Sequence, residues 1–507
     1  MKKTKNITIV YTSDVHGKIS SFDFVFQNNK SPSLSRLSTY LKYINKPDVL
    51  IDNGDVLQGS PLMDYTRKFN LPNPISKSLN LLFYDFFIPG NHDFNYGLNH
   101  LNNFISHQSA TTLCSNILNG QGKPYFKPYE IREIKGVKIG FIGAITAYIP
   151  ILEKKEHIEG LTFTSAYESV KKYSELIKDK VDAIVVSYHG GYEKDLNTGK
   201  LMGRPSIENE GYHIFEIPEV DVLLCGHQHM PTVFHKGLKS TIQTSNQATN
   251  FGLIELTFDQ HHLLIKNKAS LIKNDFEIDQ IFEDSFQTLV DATNQSLDES
   301  IGIIQSDMKI HDQFLDRLNN HIFFQFINMI QLKLTHADIS LASLPNNALG
   351  LSKSVTKREL AANFVYVNAL VKMEITGQIL KRALEQNANY LTVENDKIVI
   401  NQAYINPKLE HYNFDIYDGI NYTYKVSNPV GERIVELTYK DKPINDTDTL
   451  TICLNSYRAN GGGDFFMFTE GKVLETIEIS YVDIMVDYIK KHPQLMMVSK
   501  NQFKAIV

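Results

Sequence analysis

The sequence predicts a two-domain protein, with an α/β fold in the first half and a smaller α+β domain in the second. The chain has 507 residues, whereas a single hydrophobic core stops growing at roughly 250–300 residues. In the first half, short apolar runs alternate with helical patterns, which is typical of parallel sheets covered by helices. In the second half, helical patterns come first and strand-like runs follow, which favours a separate α+β domain.

The apolar runs of the first half are short enough to be buried strands. They occupy residues 7–13, 48–54, 86–90, 138–144, 182–188 and 221–226. Amphipathic stretches with helical period, such as 33–44 and 166–179, lie between them. We therefore expect one catalytic domain over residues 1–270, built on a mostly parallel sheet.

The segment after this domain changes character. Residues 280–304 are polar with a helical period, which predicts either a connecting helix or the first helix of the next domain. We expect a bridging segment over 271–310. Residues 311–507 then form the second domain, which begins with helical patterns at 314–334 and 375–391 and continues with strand-like runs.

Composition excludes several classes of function. The net charge is −6, with 42% hydrophobic and 21% charged residues, which argues against broad binding to nucleic-acid polymers or membranes. No apolar run approaches the ~18 residues of a membrane span, and the first residues lack the apolar core of a signal peptide. We expect a cytoplasmic protein. Its three cysteines lie far apart in apolar runs, which predicts buried free thiols rather than disulfides.

Polar side chains follow five of the predicted strands, at the point where each strand ends. They are Asp14 and His16, Asp55, Asn91 and His92, His189, and His227 and His229. Because the carboxyl ends of parallel strands lie along one sheet edge, we expect these side chains to converge in one crevice. In an extended chain, residues two apart point to the same side, ~6–7 Å apart. The spacing of Asp14 with His16 therefore lets both reach one site.

The predicted donors favour a pair of divalent metal ions. Imidazole, carboxylate and amide ligands without thiolate suit Mn²⁺, Zn²⁺ or Fe²⁺. Seven such donors are too many for one ion and sufficient for two. Ions ~3.5–4 Å apart require a bridging carboxylate, for which Asp55 is the natural candidate. Such a pair activates water for in-line attack on phosphorus.

The order of these motifs resembles the signature of the calcineurin-like metallophosphoesterases over residues 5–260. The resemblance implies the layered sandwich of that family. It also implies two ligand sets: Asp14, His16, Asp55 and His229 for one ion, and Asp55, Asn91, His189 and His227 for the other. It places His92 outside the metal ligands, as a residue that stabilises the transferring phosphoryl group and assists the leaving oxygen.

The second half resembles the C-terminal domain of the 5′-nucleotidase family, on the stretches 412–427 and 454–468. That family includes the bifunctional 2′,3′-cyclic-nucleotide 2′-phosphodiesterase/3′-nucleotidases, and it sandwiches the nucleobase between two aromatic side chains. Tyr457 matches one aromatic position, and Tyr390 is the best match for the other. Stacking a base on one aromatic ring contributes ~1–3 kcal/mol.

Other residues near Tyr457 are expected to support substrate binding. Gly461 and Gly462 permit a close approach of the backbone, and Asp464 could accept a hydrogen bond from the base or the ribose. Tyr412 and Phe414 alternate in a strand-like run, and we expect them to be structural.

Two departures from the family pattern bear on the reaction. Residues 343–353 lack the Gly-Gly-Gly-Ile-Arg run of 5′-nucleotidases, so recognition of a 5′-phosphate is in doubt. The family often carries an Asp three residues after the catalytic histidine, where this chain has Asn95. An amide can orient the imidazole of His92 through its carbonyl, but it cannot raise the imidazole pKa as a carboxylate would.

These features predict hydrolysis of a small nucleotide to nucleoside and phosphate in the crevice between the domains, with the 2′, 3′ or 5′ ester left open. A UDP-sugar or dinucleotide pyrophosphohydrolase on the same scaffold is an alternative. A non-catalytic nucleotide-binding protein is another, and a silent scaffold should have lost metal ligands that are all present here. We expect a monomer or a weak dimer with no nucleic-acid polymer as partner.

Overall fold

The structure is a computed structural model, and it describes residues 4–202, 207–364, 369–405, 409–477 and 481–507. The chain forms two compact units, Met1–Thr293 and Asn294–Val507. Within the described ranges, no helix combines the length and the apolar character that crossing a bilayer requires.

The first unit is built on two six-stranded sheets. Its strands are β1 (Lys5–Thr12), β2 (Val49–Asp52), β3 (Phe86–Phe87), β4 (Thr111–Thr112), β5 (Ile117–Asn119), β6 (Tyr129–Ile134), β7 (Val137–Ile145), β8 (Leu161–Phe163), β9 (Ala183–His189), β10 (Val222–Cys225), β11 (Thr232–Lys236), β12 (Lys239–Gln243), β13 (Asn250–Phe258) and β14 (Leu264–Lys273). One sheet has the order β14-β13-β1-β2-β3-β4 and the other β11-β12-β10-β9-β7-β6, while β5 pairs with β8.

The helices of this unit cover the outer faces of the sheets. They are α1 (Leu34–Tyr43), α2 (Pro61–Lys68), α3 (Pro74–Leu82), α4 (Leu98–Ser106), α5 (Ile149–Leu152), α6 (Ala166–Ile177), α7 (Gly211–Glu216), α8 (Gln280–Asp284) and α9 (Gln287–Leu297), with 3₁₀ turns at Asn91–Phe94, Lys155–Ile158 and Lys178–Lys180. Local signals fix several starts: Ser33 caps α1, and Ser60 caps α2 ahead of Pro61.

The core of the first unit lies between the two sheets. Ile9 and Phe86 of one sheet pack in the same buried cluster as Phe141, Val185 and Leu224 of the other. The sequence analysis expected one mostly parallel sheet, but the six predicted strands divide equally between two. Each sheet contains four consecutive parallel strands, β1-β2-β3-β4 in one and β12-β10-β9-β7 in the other, so the strand ends still converge.

The helix predicted over 280–304 is present in part, as two helices that end before residue 300. Asp279 caps the short α8 through the N–H of Phe282, α9 ends at Leu297, and a strand, β15 (Ser300–Ile303), follows. The division of the chain at residues 270 and 310 stays a prediction.

The second unit is α+β. Its strands are β15, β16 (Met308–Lys309), β17 (Ile339–Ala342), β18 (Gly350–Leu351), β19 (Ser354–Thr356), β20 (Leu370–Thr376), β21 (Leu391–Glu394), β22 (Lys397–Ile400), β23 (Ile416–Asp418), β24 (Asn421–Lys425), β25 (Ile434–Tyr439), β26 (Lys442–Pro443), β27 (Thr449–Asn455), β28 (Lys472–Ile477) and β29 (Phe503–Ile506). The larger sheets have the orders β23-β17-β27-β20-β28 and β26-β25-β24-β29.

The helices of the second unit complete its core. They are α10 (Leu315–Leu318), α11 (Ile322–Thr335), α12 (Lys357–Asn363), α13 (Gly377–Ala388), α14 (Ser456–Ala459) and α15 (Tyr481–Lys491), with 3₁₀ turns at Gln402–Tyr404, His411–Asn413, Gly462–Asp464 and Phe466–Glu470. Helix α11 is apolar on most of its surface, and Phe323, Phe324 and Phe326 are fully buried.

All three cysteines are buried and free, which confirms the prediction of unpaired thiols. Cys114 and Cys225 lie in the first unit, and Cys453 lies on β27 of the second. Burial raises the pKa of each thiol to about 12.

Candidate metal centre

The predicted ligands lie in tight turns at the ends of buried strands. Asp14, His16, Asp55, His227 and His229 all have positive φ angles, between 50° and 72°. This conformation is uncommon for residues other than glycine, and it clusters at functional sites. The extended-chain argument for the i, i+2 pairs is therefore wrong, because these turns, rather than an extended backbone, aim the side chains.

The first group of donors is Asp14, His16 and His229, whose ligand atoms all lie within 4.8 Å of one another. Nε2 of His229 is 3.2 Å from Oδ1 of Asp14 and 3.3 Å from Nε2 of His16. Burial lowers the pKa of His16 to about 4, so this ring is neutral near pH 7 and offers a lone pair.

The second group contains Asp14, Asp55 and His189, again within 4.8 Å. Asn91 lies beside it, with its Oδ1 3.2 Å from Nε2 of His189 and 2.7 Å from Nδ1 of His227. All seven side chains predicted as ligands thus form one continuous cluster.

Electrostatics bind this cluster together. Burial acts to raise the pKa of Asp14, but the adjacent His229 and His189 outweigh it and lower the pKa to about 2. Burial acts to lower the pKa of His189, but Asp55 outweighs it and raises the pKa to about 10. Burial also acts to raise the pKa of Asp55, but His189 and His92 outweigh it and hold the pKa well below its usual range. Asp14 and Asp55 are therefore ionised, and positive charge is strongly favoured between them.

The hydrogen bonds on the far sides of the histidines fit a metal centre. Nδ1 of His16 faces the carbonyl of Gln58 at 3.0 Å, and Nδ1 of His189 faces the carbonyl of Asn53 at 2.6 Å. A carbonyl only accepts, so these nitrogens donate, and in the neutral ring Nε2 presents a lone pair to the cluster.

In His227 the two ring nitrogens have the opposite roles. Its Nε2 lies 2.8 Å from Oε1 of Glu208, so in the neutral ring Nδ1 is the nitrogen with a lone pair, and it faces the cluster. When the rings are neutral, the Nε2 atoms of His189 and His229 lie 3.4 and 3.2 Å from carboxylate oxygens, and these atoms repel one another unless cations lie between them. The residues present therefore fit bound divalent ions.

Two glycines are required where the strands end. A Cβ on Gly90 would lie 2.3 Å from Oδ1 of Asp55 and 2.8 Å from Cε1 of His189. A Cβ on Gly226 would lie 2.1 Å from Oγ of Ser13 and 2.7 Å from Oδ2 of Asp14. Any side chain at either position would displace a carboxylate of the cluster.

Two residues that support the ligands, Asp93 and Glu208, were not predicted from the sequence. Asp93 accepts hydrogen bonds from the backbone N–H groups of Asp55, Val56, Leu57 and Gly90, at 2.8–3.0 Å. Its position next to His92 in the Gly-Asn-His-Asp motif was an available signal. The sequence signal for Glu208 was weak, because this residue lies in no metal-binding motif.

His92 lies at the edge of the cluster. Its backbone N–H donates to Oδ1 of Asp55 at 2.7 Å, and its Nδ1 is 2.8 Å from Oδ1 of Asn95. Its ring centroid is 5.6 Å from that of His16. His92 belongs to neither group of donor atoms, and its role at the phosphoryl group stays a prediction.

In the second unit, Tyr457 lies on α14 with 43% of its surface exposed. A Cβ on Gly462 would be 2.4 Å from the Tyr457 ring, and Gly461 has a φ of 89°, so both glycines are needed beside this tyrosine. Asp464 is exposed, with a φ of 68°.

The residue after Tyr457 fastens this loop to the rest of its unit. Arg458 is 1% exposed and forms an ion pair of 2.9 Å with Asp415. It also donates to the carbonyl oxygens of Gly462 at 2.7 Å and Tyr412 at 3.0 Å. Phe414 is fully buried, as expected of a structural residue, whereas Tyr412 is partly exposed.

The prediction that Tyr390 stacks on a nucleobase is wrong for this conformation. Tyr390 is 0% exposed, its ring centroid is 4.8 Å from that of Phe414, and its Oη is 2.6 Å from Nδ1 of His411. The ring turns into the core after α13 and has no free face.

Comparisons with known proteins agree with this architecture. The calcineurin-like phosphoesterase family matches residues 7–231, and the 5′-nucleotidase C-terminal domain matches residues 301–470. A 2′,3′-cyclic-nucleotide 2′-phosphodiesterase/3′-nucleotidase of Haemophilus influenzae is 27% identical, over 91% of this chain and 81% of its own.

Solved structures extend the match over the whole chain. A Staphylococcus aureus protein assigned as a 5′-nucleotidase, in complex with α-ketoglutarate, is 31% identical, with a TM-score of 0.92 over 99% of this chain and 100% of its own. A 5′-nucleotidase precursor of Thermus thermophilus shares the fold, at 20% identity and a TM-score of 0.68 over 99% of both chains. The chain therefore belongs to the calcineurin-like phosphoesterases that carry a 5′-nucleotidase C-terminal domain.

Proposed function

We propose that this protein is a dinuclear metal-dependent phosphoesterase that hydrolyses small nucleotides to nucleoside and phosphate. The observation that carries the proposal is the arrangement of His16, His189 and His227. Each ring is held from behind by an oxygen acceptor, and its other nitrogen faces another donor of the cluster. The names of the relatives, nucleotidases and cyclic-nucleotide phosphodiesterases, support the substrate class.

We assign the ligands as two sets that share Asp55. Asp14, His16, Asp55 and His229 would hold one ion, and Asp55, Asn91, His189 and His227 would hold the other. Mn²⁺, Zn²⁺ and Fe²⁺ suit this mixture of imidazole, carboxylate and amide donors. When bound, two such ions supply Lewis acidity and lower the pKa of water.

The protein's own groups then orient the phosphate ester. We place His92 at the phosphoryl group, where its ring stabilises developing negative charge and delivers a proton to the leaving ribose oxygen. The P–O bond to the ribose breaks as the oxygen of water bonds to phosphorus. Asn95 orients the His92 ring from behind.

We assign nucleobase binding to the second unit. Tyr457 offers an exposed aromatic face, and Gly461, Gly462 and Asp464 surround it. With Tyr390 buried, Tyr412 is the better candidate for a second aromatic contact, because Arg458 ties its backbone to the loop that carries Tyr457.

The missing arginine favours 2′,3′-cyclic and 3′-nucleotides over 5′-nucleotides as substrates. Residues 343–353 contain no arginine. The buried Arg317 contacts this stretch, but it donates to the carbonyl oxygens of Leu344, Pro345, His411 and Gln313. It also donates to the side-chain oxygen of Gln313, so its donors are committed within the protein and are not presented to a phosphate. We further propose a cytoplasmic protein that is a monomer or a weak dimer.

Phosphate release tests the proposal directly. Protein freed of metal and reloaded with Mn²⁺ should release phosphate from 3′-nucleotides and open 2′,3′-cyclic nucleotides, with weaker activity on 5′-nucleotides. Preferential cleavage of a UDP-sugar or a dinucleotide in the same panel would favour the pyrophosphohydrolase alternative. Binding of nucleotides without any metal-dependent hydrolysis would overturn the proposal.

A further inference from the structure

His92 is the first member of a chain of four hydrogen-bonded side chains that leads away from the metal cluster. Its Nδ1 is 2.8 Å from Oδ1 of Asn95, and Nδ2 of Asn95 donates to Oε2 of Glu153 at 2.8 Å. Oε1 of Glu153 is 2.9 Å from Nδ1 of His157 and accepts from the backbone N–H of Lys154 at 2.8 Å. The chain joins the turn after β3 to the segment after β7.

We propose that Glu153 is a positioning residue that fixes the orientation of the Asn95 amide and, through it, the tautomer of His92. The inference rests on the proposed function, in which His92 acts on the phosphoryl group. It assigns a role to a residue that lies outside every motif of the chain and more than fifty residues after His92.

The donors and acceptors of Glu153, Asn95 and His92 fix which way each side chain points. A carboxylate only accepts hydrogen bonds, so the side of Asn95 that faces Glu153 must be its NH₂ group. The carbonyl of Asn95 must then face His92, and because a carbonyl only accepts, Nδ1 of His92 must carry a proton. Nε2 then faces the substrate, and because Nδ1–H already donates to Asn95, the ring can hold a second proton on Nε2 and deliver it to the leaving oxygen.

Without Glu153, the orientation of the Asn95 amide would no longer be fixed. The two ends of an amide have nearly the same shape, so Asn95 could turn by 180° and present its NH₂ group to His92. Nδ1 would then have to accept, so the ring could carry only the proton on Nε2. It could no longer form the doubly protonated imidazolium that serves as the acid. The remote carboxylate thus fixes which end of the Asn95 amide faces His92.

Glu153 is held firmly enough for this task. Its side chain is 6% exposed, against 21% for His157. It lies at the C-terminal end of α5, where its backbone N–H donates to the carbonyl of Ile149 at 2.8 Å. With Lys154 and His157 on one oxygen, only the other oxygen is directed at Asn95.

The decisive experiment exchanges the amide of Asn95 and the carboxylate of Glu153. In E153Q, the backbone N–H of Lys154 selects the carbonyl end of the new amide, which turns its NH₂ group toward Asn95 and forces the flip. In N95D, two carboxylates face one another at hydrogen-bond distance and repel. In N95D/E153Q, the glutamine NH₂ group donates to the aspartate, which again accepts from Nδ1 of His92.

We expect kcat to fall about 10- to 100-fold in E153Q, with KM changed by less than about threefold. A general acid or base contributes ~10²–10⁴-fold to the rate, and a misoriented His92 should lose part of that contribution. N95D should fall similarly, and N95D/E153Q should recover most of the loss. E156Q is the matched control, because Glu156 lies in the same segment, carries the same charge and is exposed. It should match the wild type.

A readout without activity completes the test. In metal-free protein labelled with ¹⁵N-histidine, the His92 ring, assigned by its disappearance in H92Q, should be protonated at Nδ1 in the wild type. It should shift to the opposite tautomer in E153Q and return in N95D/E153Q.

The two hypotheses fail in different ways. A wild-type protein that releases no phosphate overturns the proposed function, whereas the ¹⁵N spectra still decide the role of Glu153. An active wild type with an unchanged His92 tautomer in E153Q overturns the positioning role. A double variant no more active than E153Q also overturns it.

Discussion

The backbone N–H of His92 donates a hydrogen bond of 2.7 Å to Oδ1 of Asp55. The other oxygen, Oδ2, lies 3.4 Å from Nε2 of His189. One carboxylate therefore links the turn that carries His92 to the donor cluster, so a change at Asp55 should affect both.

The first prediction concerns Asp55 itself. Asp55→Asn replaces a carboxylate oxygen by an NH₂ group, which cannot bind a cation. We expect less than two bound metal ions per chain and a fall in kcat of at least about 100-fold, measured by metal analysis and phosphate release. Asp275→Asn, at a side chain that is 63% exposed, should change neither. Two bound ions and normal turnover in the Asp55 variant would contradict the shared-ligand assignment.

The second prediction concerns Gly90. The added methyl group in Gly90→Ala would overlap Oδ1 of Asp55, at 2.3 Å. We expect weaker metal binding, by about 10- to 100-fold, because a ligand is displaced, with a matching loss of turnover. Gly120→Ala is the control, since a methyl group there meets nothing within 4 Å. Calorimetric titration with Mn²⁺ compares the two, and equal affinities would show that the cluster tolerates the shift.

The third prediction concerns Tyr457. Tyr457→Ala should raise KM for nucleotides by roughly 5- to 150-fold, the equivalent of ~1–3 kcal/mol of stacking. Hydrolysis of a small aryl phosphate, which has no base to stack, should stay nearly unchanged. Tyr43→Ala, at a tyrosine that is 72% exposed in the first unit, is the matched control. Equal losses on both substrates would make Tyr457 a structural residue.

The fourth prediction concerns pH and Asp52. This carboxyl is fully buried and accepts from Oγ1 of Thr12 at 2.7 Å. Burial raises its pKa to about 8, whereas an unfolded aspartate titrates near pH ~3.9. The folded chain thus holds the proton more tightly, so this stabilisation is complete below pH ~4 and is lost as the pH rises through about 8.

Asp52→Asn removes that titration. In metal-free protein, the variant should gain stability relative to the wild type between about pH 5 and about pH 9, by a few kcal/mol, because a tenfold change in proton affinity corresponds to about 1.4 kcal/mol. Urea unfolding at both pH values measures the difference. A difference that is independent of pH would mean that Asp52 is already ionised in the folded state.

Local sequence patterns were sufficient to predict the parts of the fold and of the site that are set by residues close together in the chain. A buried run that ends in Gly-Asn-His-Asp or Gly-His-Gln-His marks a strand and the turn after it, and the structure brings the predicted donors together there. The same patterns do not state which strands pair, so the division into two sheets was not visible.

The errors and omissions share one cause, which is contact over long sequence distances. Tyr390 resembles an exposed aromatic after a helix, but Phe414 and His411 cover it from another segment. Glu153 reaches the site only because β7 returns the chain beside the turn of His92. No spacing rule connects such residues before the fold is known.

The chemistry of the three cysteines has a practical consequence. Thiols react as thiolates, and a pKa of about 12 leaves almost none at neutral pH. The native chain should therefore be unreactive toward maleimides and iodoacetamides, and it should not require a reducing agent to keep its thiols reduced. A single cysteine introduced on the surface of either unit could then be labelled with a fluorophore or spin label. The three native cysteines would not have to be replaced first.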